Sequence, residues 1–276
     1  MTTTAPTVTL SHGTEMPVLG LGTAGFDDAE AAECVRTAIE DGYRLVDTAE
    51  NYGNERGVGQ GIRDAAVPRE ELFVTTKFNK RWHSVDGARQ ACENSLERLG
   101  LEYVDLLLIH WPNPGQNRYV EAWEGMIRLR EEGLARAIGV SNFKPHHLDR
   151  LVEATGVTPE VNQINLNPYA TRASTHAYHV SHGIVTEAWS PLQPATMLQD
   201  PVITEIAART GCSPAQAVLR WLTQRGIVTV PRSGSREHRR QNLASVDVQL
   251  TQKDIDDISA LDRGEDHVTD SDEFGH

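Results

Sequence analysis

Short apolar runs alternate with longer amphipathic segments along nearly the whole chain, and this alternation narrows the fold more than any other feature. The apolar runs fall at 19–22, 45–47, 72–77, 104–110, 135–140, 161–165, 184–189 and 227–231. Between and after them, apolar residues recur at helical spacing over 28–41, 54–65, 84–99, 120–132, 145–155, 173–181, 213–225 and 236–245. Strands separated by helices pair in parallel, because each helix returns the chain to the start of the next strand. Eight such units, with no linker rich in Pro, Gly or Ser, predict one domain over residues 1–276. The expected fold class is α/β, a closed (β/α)8 TIM barrel. Residues 8–18 are expected to form an N-terminal β-hairpin over the N-terminal mouth, and two extra helices are expected at 201–210 and 252–261. Helix signals support the frame: Asp27-x-x-Glu30 reads as a capping box, Ser213-Pro214 as an N-cap before a first-turn proline. Gly42, Gly100, Gly133 and Gly183 sit where helices should end.

A doubly wound sheet is the competing α/β fold, and Gly20-Leu-Gly22-Thr-Ala-Gly25 has the G-x-G-x-x-G spacing of its phosphate loop. The acidic residue expected at the end of a clean second strand is missing from its usual context, so a tight strand-to-loop turn is the better reading. The formal net charge of −13 argues against nucleic acid or an anionic membrane as partner, since both attract cationic surfaces. Cys34, Cys92 and Cys212 are odd in number and widely spaced, which describes reduced thiols rather than a disulfide framework or zinc site. The first residues lack a basic and an apolar signal region, and no apolar run reaches the roughly 18 residues of a membrane span. A cytoplasmic location is the expectation.

In a barrel of this kind, functional groups gather at the C-terminal ends of the strands. Asp47, Lys77 and His110 end the second, third and fourth predicted strands, about one strand–helix unit apart, so they should face one cavity, with Tyr52 on the loop above Asp47. A lysine held by an aspartate keeps its charge, and that charge favours a phenolate, so Lys77 is expected to lower the Tyr52 pKa from its usual ~10. Tyr52 then reads as a general acid, with Asp47 holding Lys77 and His110 donating a hydrogen bond to a carbonyl oxygen. None of the four is a strong nucleophile or part of a metal cluster, so a hydride would have to come from a cofactor.

Four separated segments, Asp47–Glu55, Thr75–Lys77, Leu108–Pro112 and Gly139–Asn142, resemble the motifs of the aldo-keto reductases. The similarity runs from about residue 8 to residue 262 and is nearest the bacterial 2,5-diketo-D-gluconate reductase branch. The resemblance implies a monomeric barrel that binds NADPH in extended form and reduces small carbonyl compounds. By position it implies that Thr23, Asp47, Ser141, Asn142 and Gln163 meet the nicotinamide end, with Trp189 stacked on the ring. Ser190, Pro191 and Leu192 would line the pyrophosphate, and Arg232, Ser233, Gly234, Ser235, His238 and Asn242 the adenosine and any 2′-phosphate. Ala24, Phe26, Trp82, His110 and Trp111 would wall the substrate pocket, and no metal is implied.

Three departures from that pattern bear on function. Arg232 stands where lysine is usual and can still grip a phosphate, whereas His238 replaces an arginine and leaves NADH possible beside NADPH. The usual N-Q-I-E-L-H-P run reads Asn162-Gln-Ile-Asn-Leu-Asn-Pro168. Segment 232–240 carries four arginines and one glutamate, which predicts a basic patch for phosphate in an acidic chain. The tail, 264–276, has five acidic residues and no Lys or Arg; its composition describes a solvated end, the resemblance places it near the substrate pocket, and its shortness implies an open, broadly accepting pocket. Two other functions compete with this reading. A cofactor-binding sensor or regulatory subunit with a reductase fold and little turnover is disfavoured by the intact Asp47, Tyr52, Lys77 and His110. A metal-dependent hydrolase would need an H-x-H pair ending the first strand, and the candidates His146, His147, His176 and His179 lie elsewhere.

Overall fold

A computed structural model describes residues 4–276. A two-stranded antiparallel hairpin, β1 (Thr7–Thr9) and β2 (Glu15–Pro17), opens the chain. Eight parallel strands follow: β3 (Leu21–Gly22), β4 (Leu45–Asp47), β5 (Phe73–Phe78), β6 (Val104–Ile109), β7 (Ala135–Ser141), β8 (Val161–Asn165), β9 (Val185–Trp189) and β10 (Val228–Thr229). Each pairs with its neighbours in chain order. The Thr229 N–H donates to Val18 O and the Gly20 N–H to Thr229 O, so the last strand meets the first and the sheet closes. The (β/α)8 barrel expected from the alternation is the fold observed.

The helices α1 (Asp28–Glu40), α2 (Glu55–Asp64), α3 (Val85–Leu99), α4 (Tyr119–Glu131), α5 (Pro145–Thr155) and α6 (Ala173–Ser181) connect successive strands. α7 (Pro201–Thr210) and α10 (Gln252–Ser259) are the two extra helices, with α8 (Pro214–Gln224) and α9 (Arg236–Leu243) flanking β10. The capping box at Asp27 is complete, Asp27 accepting from the Glu30 N–H and Glu30 from the Asp27 N–H. Ser213 and Gln216 form another at α8. Gly100, with φ 67°, ends α3 in the left-handed conformation glycine adopts without penalty.

Gly22 ends β3 beside the last strand, where a Cβ would lie 2.7 Å from the Val230 carbonyl oxygen, and Gly25 turns the chain at φ +76°. The Gly20–Gly25 segment is thus a strand-to-loop turn at the barrel seam. Regular pairing in β3 and β10 covers two residues each, shorter than the expected 19–22 and 227–231. Pro231 lacks the N–H that would extend the ladder.

Two apolar layers hold the barrel. One lies between sheet and helices and includes Val46, Val74, Leu107, Ile109, Trp123 and Met126. The other fills the lower interior, where Leu10 and Met16 of the hairpin join Leu45, Phe73, Leu106 and Val161. The hairpin therefore plugs the N-terminal mouth and leaves the opposite end for polar groups. No helix among the described residues is long and apolar enough to cross a membrane.

Candidate active site

Asp47, at the end of β4, and Lys77, near the end of β5, are both buried. Lys77 Nζ donates to Asp47 Oδ1 and Oδ2 at 2.7 and 2.8 Å and to the Thr48 carbonyl at 2.9 Å. Its fourth neighbour is Tyr52 Oη at 3.5 Å. Tyr52 closes the short 3-10 turn Glu50–Tyr52, whose exit through Gly53 at φ 69° swings the phenol back over Lys77. His110 directly follows β6, its N–H donating to the Phe78 carbonyl, and its ring meets Tyr52 edge-on at 6.0 Å. Its Nδ1 is buried without a partner.

Burial and charge set the protonation of these groups. Burial pulls Lys77 down, but the negative Asp47 and the Tyr52 phenol outweigh it, and Lys77 stays firmly protonated. Burial, helped by the Lys77 charge, holds His110 far below its ordinary value and hence neutral. For Tyr52 the outcome differs from the sequence expectation. Lys77 does pull its pKa down, but loss of water outweighs that pull and Asp47 opposes it, so the phenol lies above its ordinary value.

A cavity of about 500 Å3 opens above this group. Asp47, Tyr52, His110 and Trp111 line it together with Ser141, Asn142, Gln163 and Ala24. Trp189, Ser190, Pro191 and Leu192 continue the wall toward Arg232, Ser233 and Gly234. Asn142 donates to the His110 carbonyl and to Ser141 Oγ, and its Oδ1 accepts from the Trp189 indole at 2.9 Å. Ser141 in turn donates to the Gln163 carbonyl.

Several expected site residues stand off the cavity. Thr23 is buried beneath it, its hydroxyl donating to the Asp47 carbonyl. Phe26 packs under the Arg232 guanidinium, 4.7 Å from ring centre to carbon, and Trp82, which does not line the cavity, donates its indole N–H to Glu50. Ser235 caps α9, His238 is exposed on that helix and Asn242 is buried on it, all beyond the cavity proper. His146 and His147 lie in the first turn of α5 and His176 and His179 on α6, so none of them ends the first strand.

The predicted basic patch is much weaker than its charge count. Arg236 and Arg240 both bind Asp41 at the end of α1. Arg239 is buried, donating to the Ser233 and Gly234 carbonyls and to Thr37. Arg232 is the one of the four without a carboxylate or backbone partner among the described residues. Arg239 instead braces the loop that holds Arg232, and Asp41 and Glu40, distant in sequence, offset Arg236 and Arg240.

The solvated end expected from the composition of the tail is not what the structure shows. Lys144 binds Asp270 and Asp272 at 2.5 and 2.6 Å, and His147 lies 2.9 Å from Asp272. Beyond this anchor Phe274 meets Trp111 edge-on at 5.0 Å, and the His276 ring lies 4.7 Å from His110. His276 lines the cavity, so the tail forms part of its wall. Sequence reasoning missed this residue and also Glu187, a fully buried acid on β9. The signal for Glu187 was present: an acid inside an apolar run, placed on its strand as Asp47 is on β4.

Comparison with known proteins agrees with this geometry. Residues 18–263 match the Aldo/keto reductase family. Methylglyoxal reductase DkgA of Salmonella typhimurium is 43% identical over 271 residues, covering 97% of this chain and 98% of that protein. The 2,5-diketo-D-gluconic acid reductase B of a Corynebacterium is 44% identical over 260 residues, 94% of either chain. The structure of a Bombyx mori aldo-keto reductase in complex with NADP superposes with a TM-score of 0.90 at 37% identity, covering 94% of each chain. With a closed barrel, this strand-end constellation and similarity over nearly its full length, the chain belongs to the aldo/keto reductase family.

Proposed function

We propose that the protein reduces aldehydes and ketones, dicarbonyls and keto sugars among them, to alcohols with NADPH, and that Tyr52 gives the proton to the carbonyl oxygen. The observation that carries this reading is the meeting of Tyr52, His110 and the Lys77–Asp47 pair at the base of a cavity large enough for a small carbonyl and a nicotinamide. NADPH, when bound, supplies the hydride.

The cavity suits that cofactor. The side-chain oxygen of Gln163 has no partner among the described residues and can accept from a carboxamide, while Trp189 presents a flat ring held in place by Asn142. Arg232 keeps its guanidinium free for a phosphate, and the capped start of α9 adds the partial positive charge of a helix N-terminus. His238 stands where an arginine would grip the 2′-phosphate, which keeps NADH open as a second cofactor.

Chemistry follows from the protonation states. His110, neutral, donates one N–H to the substrate oxygen and aims the carbonyl at Tyr52. Burial keeps the Tyr52 proton in place until negative charge builds on that oxygen, and the adjacent ammonium of Lys77 then steadies the phenolate left behind. Asp47 fixes Lys77 at the distance where it can do this. The relatives' names, methylglyoxal reductase and diketogluconic acid reductase, favour small dicarbonyls and keto sugars as the substrate class.

The test is a cofactor-absorbance assay with NADPH and methylglyoxal, a diketogluconate or an aromatic aldehyde. Turnover is expected, and Tyr52→Phe should lower kcat by roughly 100-fold or more while NADPH still binds. A Tyr52→Phe enzyme at full rate would remove Tyr52 from the role. Tight NADPH retention without turnover on the whole panel would favour a sensor instead.

A further inference from the structure

Glu187 sits inside the barrel on β9, completely buried, and the proposed chemistry leaves it without a task. Its Oε2 accepts from Gln163 Nε2 at 2.8 Å, and the same nitrogen donates to Asp47 Oδ2, also at 2.8 Å. One primary amide therefore spans two carboxyl groups. Both its hydrogens are used, so its oxygen is the end left for the cavity that Gln163 lines. The chain of contacts continues from Asp47 to Lys77 and from Lys77 to Tyr52.

Charge in this dry interior has to balance. The titratable groups acting on Glu187 are Asp47 from β4, Lys77 from β5 and Tyr52 from the turn above; β8 presents the uncharged Gln163 and β10 the register partner Val228. Two carboxyls thus share one ammonium. Glu187 Oε1 has no partner, which costs far less for a neutral carboxyl than for a carboxylate. Burial, reinforced by the negative Asp47, pushes the Glu187 carboxyl up to about 8.

We infer that Glu187 is a positioning residue that locks the Gln163 amide with its oxygen toward the cofactor, and that gain or loss of its own proton makes the preference between oxidised and reduced cofactor depend on pH. The inference rests on the NADPH reading above. With Glu187 protonated, the Asp47, Lys77 and Glu187 group is neutral. Once Glu187 ionises, an uncompensated negative charge lies beneath the nicotinamide position, where it attracts the cationic oxidised ring over the neutral reduced one. By linkage, the oxidised cofactor must then also favour release of that proton.

Dissociation constants for NADPH and NADP+ measured by tryptophan quenching from pH 6 to 9.5 test this. The wild-type protein should gain affinity for NADP+ relative to NADPH by roughly tenfold as pH rises through 8. Glu187→Gln keeps shape and acceptor but cannot ionise, so its affinity ratio should be flat across the range. Glu187→Leu leaves the Gln163 amide held by Asp47 alone and should weaken both cofactors by up to about tenfold at every pH. A Glu187→Gln protein that keeps the wild-type pH dependence, or a flat wild-type ratio, overturns the inference while leaving the NADPH reading intact. A wild-type protein that binds neither cofactor overturns both.

Discussion

The two mouths of the barrel are made by the same strands and are chemical opposites. Inward-facing positions recur every second residue, and along each strand they change character from bottom to top. On β4 the inward pair is Leu45 then Asp47; on β5 it runs Phe73, Thr75, Lys77; on β8 it is Val161 then Gln163; on β9, Val185 then Glu187. The lower positions join Leu10 and Met16 in a dry apolar plug, whereas the upper ones bury two carboxyls, an ammonium and an amide. Apolar burial stabilises the lower end by its area alone. Buried charges stabilise nothing unless their geometry is nearly complete. The lower mouth therefore supplies stability and the upper one spends it on function, within a rise of two to four residues.

Removing the single ammonium of the upper mouth should produce the largest effect. Lys77→Met would strand Asp47 as an unpaired buried carboxylate, costing about 3–5 kcal/mol of stability. On the proposed chemistry it should also lower kcat by about 10²–10⁴-fold, because Tyr52 would lose the charge assigned to steady its phenolate. Thermal unfolding and steady-state rates on one preparation report both. A variant that loses activity but keeps its Tm would mean Asp47 is satisfied without Lys77, and the contrast between the mouths would be weaker than drawn.

Met16→Ala is the matching change at the lower mouth. It should cost about 2–5 kcal/mol by leaving a cavity in the plug, with kcat per folded molecule within roughly twofold of wild type. A large fall in kcat at intact stability would show that the two ends are mechanically coupled rather than separately built.

Much of this organisation could be read from the sequence, because it is local. Strand and helix periods, the Asp27 and Ser213 caps and the polar residues ending apolar runs all lie within a few positions of one another. The polar strand ends Asp47, Lys77 and His110 were legible for that reason. What escaped is what depends on distant partners. Arg236 finds Asp41 across 195 residues and Lys144 finds Asp270 across 126, so neither the quenched patch nor the docked tail shows in composition. The direction of the Tyr52 shift was missed because Lys77 is its neighbour by motif, while the exclusion of water belongs to the assembled fold. Glu187 was visible as an odd acid in an apolar run, but its link to Asp47 passes through Gln163 on another strand.

Glu187 gives the next effect in size, and its sign follows from its proton. The folded protein holds that proton up to about pH 8, whereas an unfolded glutamate loses it near the ordinary value of 4.5. Between those values the folded state binds more protons, so this group's contribution erodes stability as pH rises. Glu187→Gln should therefore raise Tm over wild type by several degrees at pH 8 and by much less at pH 5. An equal gain at both pH values would mean that packing, not the proton, is responsible.

The smallest effect is expected at the rim, where the tail rather than a strand carries the contact. Phe274 is half exposed and touches the buried Trp111 edge-on, a pairing worth about 0.5–1.5 kcal/mol. The ion pairs anchoring the tail upstream, Lys144 with Asp270 and Asp272, are partly exposed and worth about 0–1 kcal/mol. Phe274→Ala should thus loosen the wall near His276 without touching the barrel. Converted at 1.4 kcal/mol per tenfold, KM for an aromatic aldehyde should rise roughly 2- to 10-fold, with kcat, NADPH affinity and Tm unchanged. If KM for methylglyoxal rises as much, the tail acts on the base of the cavity through His276 and His110. If only the bulky substrate is affected, the rim sets specificity on its own, and the strand-borne chemistry below it is independent of the loop-borne choice of substrate.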